Sequence, residues 1–204
     1  GGRGAPGQRG APGRRRAAGG GRAMGAATRE WDLVVYGATG FTGRLAARYL
    51  ADPRSPGAGR ARVALAGRSR ERVEAVRAEL RAQGWPAADA MGVLEADSDD
   101  AEALADIAGR TRALLTFAGP YRKYGFPVAK ACVEAGCHYF DISGESAFQR
   151  SLVDSFHGAA CSRGVCMVTA CGYDSVPFDI GTLMCVRALR EQEQARCTSV
   201  EAVL

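Results

Sequence analysis

The stretch Asp32–Leu45, "DLVVYGATGFTGRL", decides the fold. Leu33–Tyr36 run without a polar interruption, as a strand buried on both faces does. Glycines follow at 37, 40 and 43, and a helical pattern opens at about Thr42. A strand turning through glycines into a helix is a way to grip a dinucleotide. One glycine makes the tight turn, another lets the backbone approach a pyrophosphate, and a third lets helix and strand pack closely. The helix then aims free N–H groups and the positive end of its dipole at the phosphate. The spacing is GxxGxxG rather than the commoner GxGxxG, with similar physical demands. Gly37, Ala38, Thr39, Gly40, Phe41, Thr42 and Gly43 are the candidate phosphate contacts. The alternative is a glycine-rich turn with no ligand, which a position heading a series of βαβ units argues against.

The type of nucleotide is read after the second strand, in "VALAGRSRERV", Val63–Val73. An NAD site usually places Asp or Glu there, to accept from a ribose hydroxyl. Gly67, Arg68, Ser69 and Arg70 stand there instead. A carboxylate would repel a 2′-phosphate, whereas a guanidinium fork and a hydroxyl can bind it. NADP(H) is therefore favoured over NAD(H), with Arg68 and Ser69 as its contacts. The plainer reading has Ser69 as a helix cap and Arg68 in solvent.

The apolar runs are Leu33–Tyr36, Val63–Ala66, Gly92–Leu94, Ala113–Phe117, His138–Ile142 and Val165–Thr169. Their starts lie about 20 to 30 residues apart, room for one crossover helix each, so the pattern predicts an α/β Rossmann-type, doubly wound parallel sheet of about six strands. A helix over 70–81 follows Ser69 as N-cap, with Val73, Val76 and Leu80 on one face. Pro127 is expected to open a later helix that Gly136 closes. Phe148, Leu152 and Phe156 line a helix ended by Gly164, and a last helix runs from about Pro177 to Arg190. "CTSVEAVL" then reads as a new strand, so residues 24–192 form the nucleotide domain and 193–204 open a second α/β domain.

The first 23 residues differ in kind. They hold nine Gly, six Arg, no acid and no large apolar side chain, too little apolar surface to fold, so a disordered tail is expected. The chain is +5, but without those six Arg it carries 21 basic against 22 acidic side chains. The folded part has no basic surplus that would suggest nucleic acid. An RNA-contacting arm, a poor transit peptide and sequence upstream of a start at Met24 all remain open for the tail. The seven cysteines show no CxxC pair and mostly sit in apolar runs, which points to buried, reduced thiols in an intracellular protein and to no metal site. No apolar run reaches the roughly 18 residues of a membrane span.

No Tyr is followed four residues later by Lys, so the acid/base pair of short-chain dehydrogenases is absent. "TFAGPYRKYG" follows the fourth strand, where Ala118, Gly119, Pro120 and Tyr121 could lie along a nicotinamide. Tyr121 and Lys123 are the catalytic candidates, a solvated surface lysine being the plainer reading of the second. Asp141, Ser143 and Glu145 end the fifth strand, and Asp174, Ser175 and Asp179 follow the sixth. Such groups can order a cleft or cap the next helix, and capping is favoured for Asp174 and Ser175.

Four blocks together, "DLVVYGATGFTGR", "ALAGRSRERV", "FAGPYRKYGFPVAKACVEAGCHYFDISGE" and "CGYDSVPFDIG", resemble the saccharopine dehydrogenase-like oxidoreductases over residues 31–204. The likeness extends to mycobacterial trans-acting enoyl reductases that serve glycolipid synthesis. It implies an N-terminal Rossmann domain for a nicotinamide cofactor and a following α/β domain that completes the active site. Members run to roughly twice this length, so the chain looks like the N-terminal half. By the same resemblance Gly37, Gly40 and Gly43 match the phosphate turn, Arg68 and Ser69 the residues after the second strand, Asp97 an acid near the adenine, and Gly119–Tyr121 the GPY loop. One expectation is an NADP-dependent oxidoreductase acting on a small-molecule or lipid intermediate, a glycolipid or enoyl compound. The other is a catalytically silent, nucleotide-binding scaffold on a lipid surface, since some animal members associate with lipid droplets, mitochondria or membranes. A homodimer stands open.

Overall fold

The computed structural model describes residues 29–201. The expectation of a disordered tail over 1–23 lies outside the described residues.

Six parallel strands form one sheet in the order β3-β2-β1-β4-β5-β6. They are β1 (Trp31–Tyr36), β2 (Val63–Gly67), β3 (Gly92–Glu95), β4 (Thr111–Thr116), β5 (His138–Asp141) and β6 (Met167–Val168). Val35 is in register with Leu65 on one side and Leu115 on the other, so β1 is central. The chain winds outward from β1 to β3, crosses back, and winds outward again from β4 to β6. The reversal at β1 and β4 leaves a crevice beyond their carboxyl ends, where ligands of such sheets settle.

Side chains alternate across β1, and each face meets its own helices. Val35, Leu65 and Val93 pack against α1 (Phe41–Ala51), α2 (Arg70–Ala82) and α3 (Pro86–Ala90). Val34, Tyr36, Leu114 and Tyr139 pack against α4 (Ala101–Gly109), α5 (Tyr121–Ala135) and α6 (Ser146–Arg163). Val34 and Val35 are both 0% exposed, and burying each stabilises by roughly 1.5–3 kcal/mol. That two-sided burial is why "LVVY" carries no polar residue.

Ser69 caps α2 as read, its Oγ accepting from the Arg72 amide at 3.3 Å. Gly136 and Gly164 close α5 and α6 at φ +73° and +66°. Two helices were not read from the pattern. α3 is a single short turn behind Trp85, and α4 starts at Asp100, whose carboxylate accepts from the amides of Glu102 and Ala103.

Pro127 does not open its helix. α5 begins six residues earlier at Tyr121 and carries Pro127 in its interior. A carboxylate from elsewhere in the chain fixes that earlier start: Glu145 accepts from the amides of Tyr121 at 2.8 Å and Arg122 at 3.0 Å. The last helix, α7 (Val176–Gln192), lies within two residues of its expected bounds. Asp174 and Ser175 do not cap it, however. Ser175 holds the N-cap position with φ −123° and ψ −55°, and no side chain there accepts from the helix. No residue of α7 is buried. Residues 193–201 run on without strand pairing among the described residues, and 202–204 lie outside them.

The cysteines are all free, but only Cys132 and Cys137 are buried, while Cys161, Cys166 and Cys185 are exposed. Cys161 stands on the outward face of α6 and Cys185 on uncovered α7, a placement that local apolarity does not report. Among the described residues no helix is long and apolar enough to cross a membrane.

Candidate functional site

A cleft of about 440 Å³ opens where β1, β2 and β4 end. Its floor is the glycine turn. Gly37 takes φ +81°, and a Cβ there would meet the Ala118 nitrogen at 3.0 Å, so the turn lies against the loop after β4. The amides of Gly37 and Ala38 both donate to Ala66 O, tying the turn to β2. Gly40 holds the N-cap of α1 with no side-chain cap, and no acid stands in the first turn. The amides of Phe41, Thr42 and Gly43 therefore lack intrahelical acceptors, and they form the positive end of the helix dipole.

The turn residues divide by where they point. Gly37, Thr39 and Gly40 line the cleft. Ala38 is fully buried in the core beneath it, and the Phe41 side chain is 82% exposed. Thr42 faces a separate apolar groove with Leu45 and Tyr49. Gly43 is used for packing: a Cβ there would overlap Gly37 O and come within 2.9 Å of the Ala38 Cα.

The wall after β2 is made by Gly67, Arg68 and Arg72, faced by Asp97 and Ser98 from the end of β3. Among the described residues neither Arg68 nor Arg72 is ion-paired; Arg77 and Arg81, further along α2, pair with Glu74. Ser69 spends its hydroxyl on the α2 cap and does not line the cleft. Tyr36 closes the floor. Its hydroxyl donates to Ala96 O at 3.1 Å and lies 3.1 Å from Ser98 Oγ. Burial raises its pKa above the ordinary phenol value, against the hydrogen bond to Ser98.

The third wall is Phe117, Ala118, Gly119 and Pro120, with Tyr124 above them. Phe117 N donates to Tyr36 O at 2.8 Å, which carries the loop off the end of β1. Tyr121 corrects the sequence reading. Its side chain turns into the core, where the hydroxyl donates to Thr116 O at 3.0 Å and the ring stacks on Phe148 at 5.9 Å. Burial pushes its pKa up to about 12. A phenol so placed presents neither ring nor proton to the cleft. Lys123 is solvent-exposed, with its Nζ 4.7 Å from the Tyr124 ring centroid, and contact with the Tyr124 side chain raises its pKa.

The polar groups after β5 serve structure. Asp141 is fully buried and accepts from Tyr139 Oη, from the amide and hydroxyl of Ser143, and from the Ala170 amide at 3.2 Å. It joins the end of β5 to the loop after β6. Burial first, and then the nearby Asp141 charge, drive the Tyr139 phenol well above its ordinary range. Glu145 caps α5 rather than the helix that follows it. Asp141, Ser143, Glu145, Asp174 and Asp179 do not line the cleft. No group of three or more metal-ligating side chains occurs among the described residues.

Sequence reasoning missed Tyr36, Arg72, Ser98, Phe117 and Tyr124. One signal was available for Arg72, a second arginine in the first turn of the helix that opens just after Arg68. Nothing local marks Tyr124, whose approach depends on the earlier start of α5.

The chain as a whole is similar to known proteins. The family model for the saccharopine dehydrogenase NADP binding domain matches residues 33–168. A Mycobacterium tuberculosis protein provisionally named as a trans-acting enoyl reductase is 43% identical over 181 residues, 88% of this chain and 41% of its own length. The trans-acting enoyl reductase of Mycobacterium leprae is 41% identical over 178 residues, 86% of this chain and 40% of its own. The chain thus spans about two fifths of the length of these relatives. The apo saccharopine dehydrogenase (L-Glu forming) of Saccharomyces cerevisiae superposes with a TM-score of 0.57 at 17% identity, over 81% of this chain and 32% of that one, a likeness of fold. The chain belongs to the saccharopine dehydrogenase NADP-binding domain family.

Proposed function

We propose that this chain binds NADP(H) in the cleft and forms the nucleotide-holding part of an oxidoreductase that acts on an unsaturated or carbonyl-bearing lipid intermediate. One observation carries the nucleotide assignment. Two guanidinium groups, Arg68 and Arg72, line the wall beyond β2 without carboxylate partners among the described residues, where an NAD site would place an acid. In this reading they take the adenosine 2′-phosphate, and Asp97 and Ser98 flank the adenosine. The amides at 41–43 face the pyrophosphate, and Phe117–Pro120 with Tyr124 flank the nicotinamide.

The cofactor would supply a hydride; the chain's own task is to hold and orient it. The lipid substrate rests on the relatives named as trans-acting enoyl reductases. Groups that contact the substrate are assigned to a following α/β domain, in keeping with the greater length of those relatives.

Titration of the purified chain with NADPH and NADH, followed by nucleotide fluorescence, tests the reading. Saturable NADPH binding at least tenfold tighter than NADH is expected. No saturable NADPH binding overturns it.

The inward Tyr121, whose hydroxyl is spent on Thr116 O, favours a second reading, a catalytically silent nucleotide-binding scaffold on a lipid surface. NADPH consumption by the protein with an enone or imine substrate would exclude it.

A further inference from the structure

Away from the nucleotide cleft, α6 carries a thiol and an imidazole one turn apart. His157 and Cys161 stand at i and i+4, both exposed, and Cys161 Sγ lies 3.7 Å from His157 Nε2 and 4.0 Å from Nδ1. The pair borders a cavity of about 540 Å³ that shares no lining residue with the nucleotide cleft. Leu152, Val153, Val165 and Met167 give it apolar walls. Arg150 stands at its rim, with its guanidinium held by Asp154 at 2.7 Å.

The other cysteines are placed differently. Cys132 and Cys137 are buried against one another, and the contact with Cys137 raises the Cys132 thiol well above its ordinary value. Cys171 and Cys197 donate to backbone carbonyls. Cys166 and Cys185 are exposed. Among the described residues, the hydrogen bonds that join a cysteine sulfur to an imidazole are those of Cys161 with His157; His138 instead accepts from the Cys166 backbone amide.

We infer that the His157–Cys161 pair is a covalent modification site for soft carbon electrophiles with an apolar tail, the α,β-unsaturated aldehydes and ketones. The geometry supplies each part of such an addition. His157 accepts the thiol proton, leaving a thiolate, which is the nucleophilic form of cysteine. The sulfur attacks the β-carbon: the S–C bond forms, and the C=C π electrons move toward the carbonyl as an enolate. The imidazolium returns the proton at the α-carbon. Atoms and electrons balance with no oxidant or reductant. The tail of the electrophile lies along Leu152, Val153 and Met167 during attack.

The experiment is a site-resolved alkylation of the purified chain near neutral pH. Limiting trans-2-nonenal and, separately, acrolein are used, the adducts are fixed with borohydride, and peptide mass spectrometry reads the rate at each cysteine. Cys161 is expected to react at least tenfold faster than Cys166 and Cys185, and the excess is expected to be larger for the nine-carbon aldehyde. In His157→Ala, an exposed substitution that leaves the core intact, the Cys161 rate should fall to that of Cys185 while the Cys185 rate stays constant. A Cys161 rate equal to that of Cys185 in the unaltered chain, or one unchanged by His157→Ala, overturns the inference. Neither outcome depends on nucleotide binding.

Discussion

The carbonyl oxygen of Gly37 occupies the space that a Cβ on Gly43 would need. Strand β1 and helix α1 therefore approach with room for a hydrogen and no more. Gly43→Ala should force the helix off the strand, and overpacking of this kind costs about 1–3 kcal/mol. For a domain of this size a loss of several degrees in Tm is expected, readable by circular dichroism. Gly40→Ala is the control. A methyl there meets only Gly37 O, at 3.4 Å, so Tm should hold nearly constant. Gly40 lines the cleft, so the same methyl takes space from a bound nucleotide, and NADPH affinity should fall at least tenfold. Equal Tm losses in the two variants would contradict this division of labour.

Arg68 and Arg72 give the second prediction. Charge-assisted contacts to an ionised group contribute about 1.5–3 kcal/mol each. Arg68→Ala should raise the Kd for NADPH by about ten- to a hundredfold and change that for NADH little. Arg72→Ala should act in the same direction. Fluorescence titration with both nucleotides reads the difference, and parallel losses for NADPH and NADH would place the guanidinium groups elsewhere.

Tyr121 separates structure from chemistry. Its hydroxyl donates to Thr116 O inside the core, and deleting one buried hydrogen bond costs about 0.5–1.5 kcal/mol. Tyr121→Phe should lower stability by that amount in urea denaturation while leaving NADPH binding intact. Weaker binding at unchanged stability would mean that the phenol reaches the cleft after all.

Acid should expose a contact at the other end of β1. Asp32 accepts from the backbone and side chain of Arg62, and chiefly through the side-chain bond its carboxyl pKa falls to about 2 from 3.8. The folded-state value is the lower one, so the stabilisation is complete above about pH 4 and is lost as pH falls toward 2. Asp32→Asn should therefore be less stable than the parent at pH 6, and the gap should close in thermal melts near pH 2. Asp52, shifted in the same sense by Arg54, is present in both proteins and cancels. A gap independent of pH would remove the ionised pair as its cause.

The elements that local rules govern were legible in the chain. "LVVY" as a buried strand, Ser69 as a cap, and Gly136 and Gly164 as left-handed helix ends each depend on residues within one turn of themselves. The readings that failed depend on distant partners. Pro127 suggested a helix start because the sequence does not show Glu145 arriving 24 residues later to accept from Tyr121. Tyr121 read as a cleft residue because its hydroxyl is polar, and only the packing of α5 on Phe148 turns it inward. The cysteines as a group read as mostly buried, although Cys161 stands on the outer face of α6.

The sequence by itself determined the parallel sheet, the glycine turn and the absence of an acid after β2. Backbone conformation, hydrophobic period and charge are properties of adjacent residues. Only the tertiary structure decided which side chains meet. It placed Arg72 beside Arg68 on one wall, Tyr124 over the loop at 117–120, and Asp141 and Glu145 away from the cleft. Those meetings follow from the close packing of helices on a twisted sheet, and that packing is set by contacts between residues far apart in the chain.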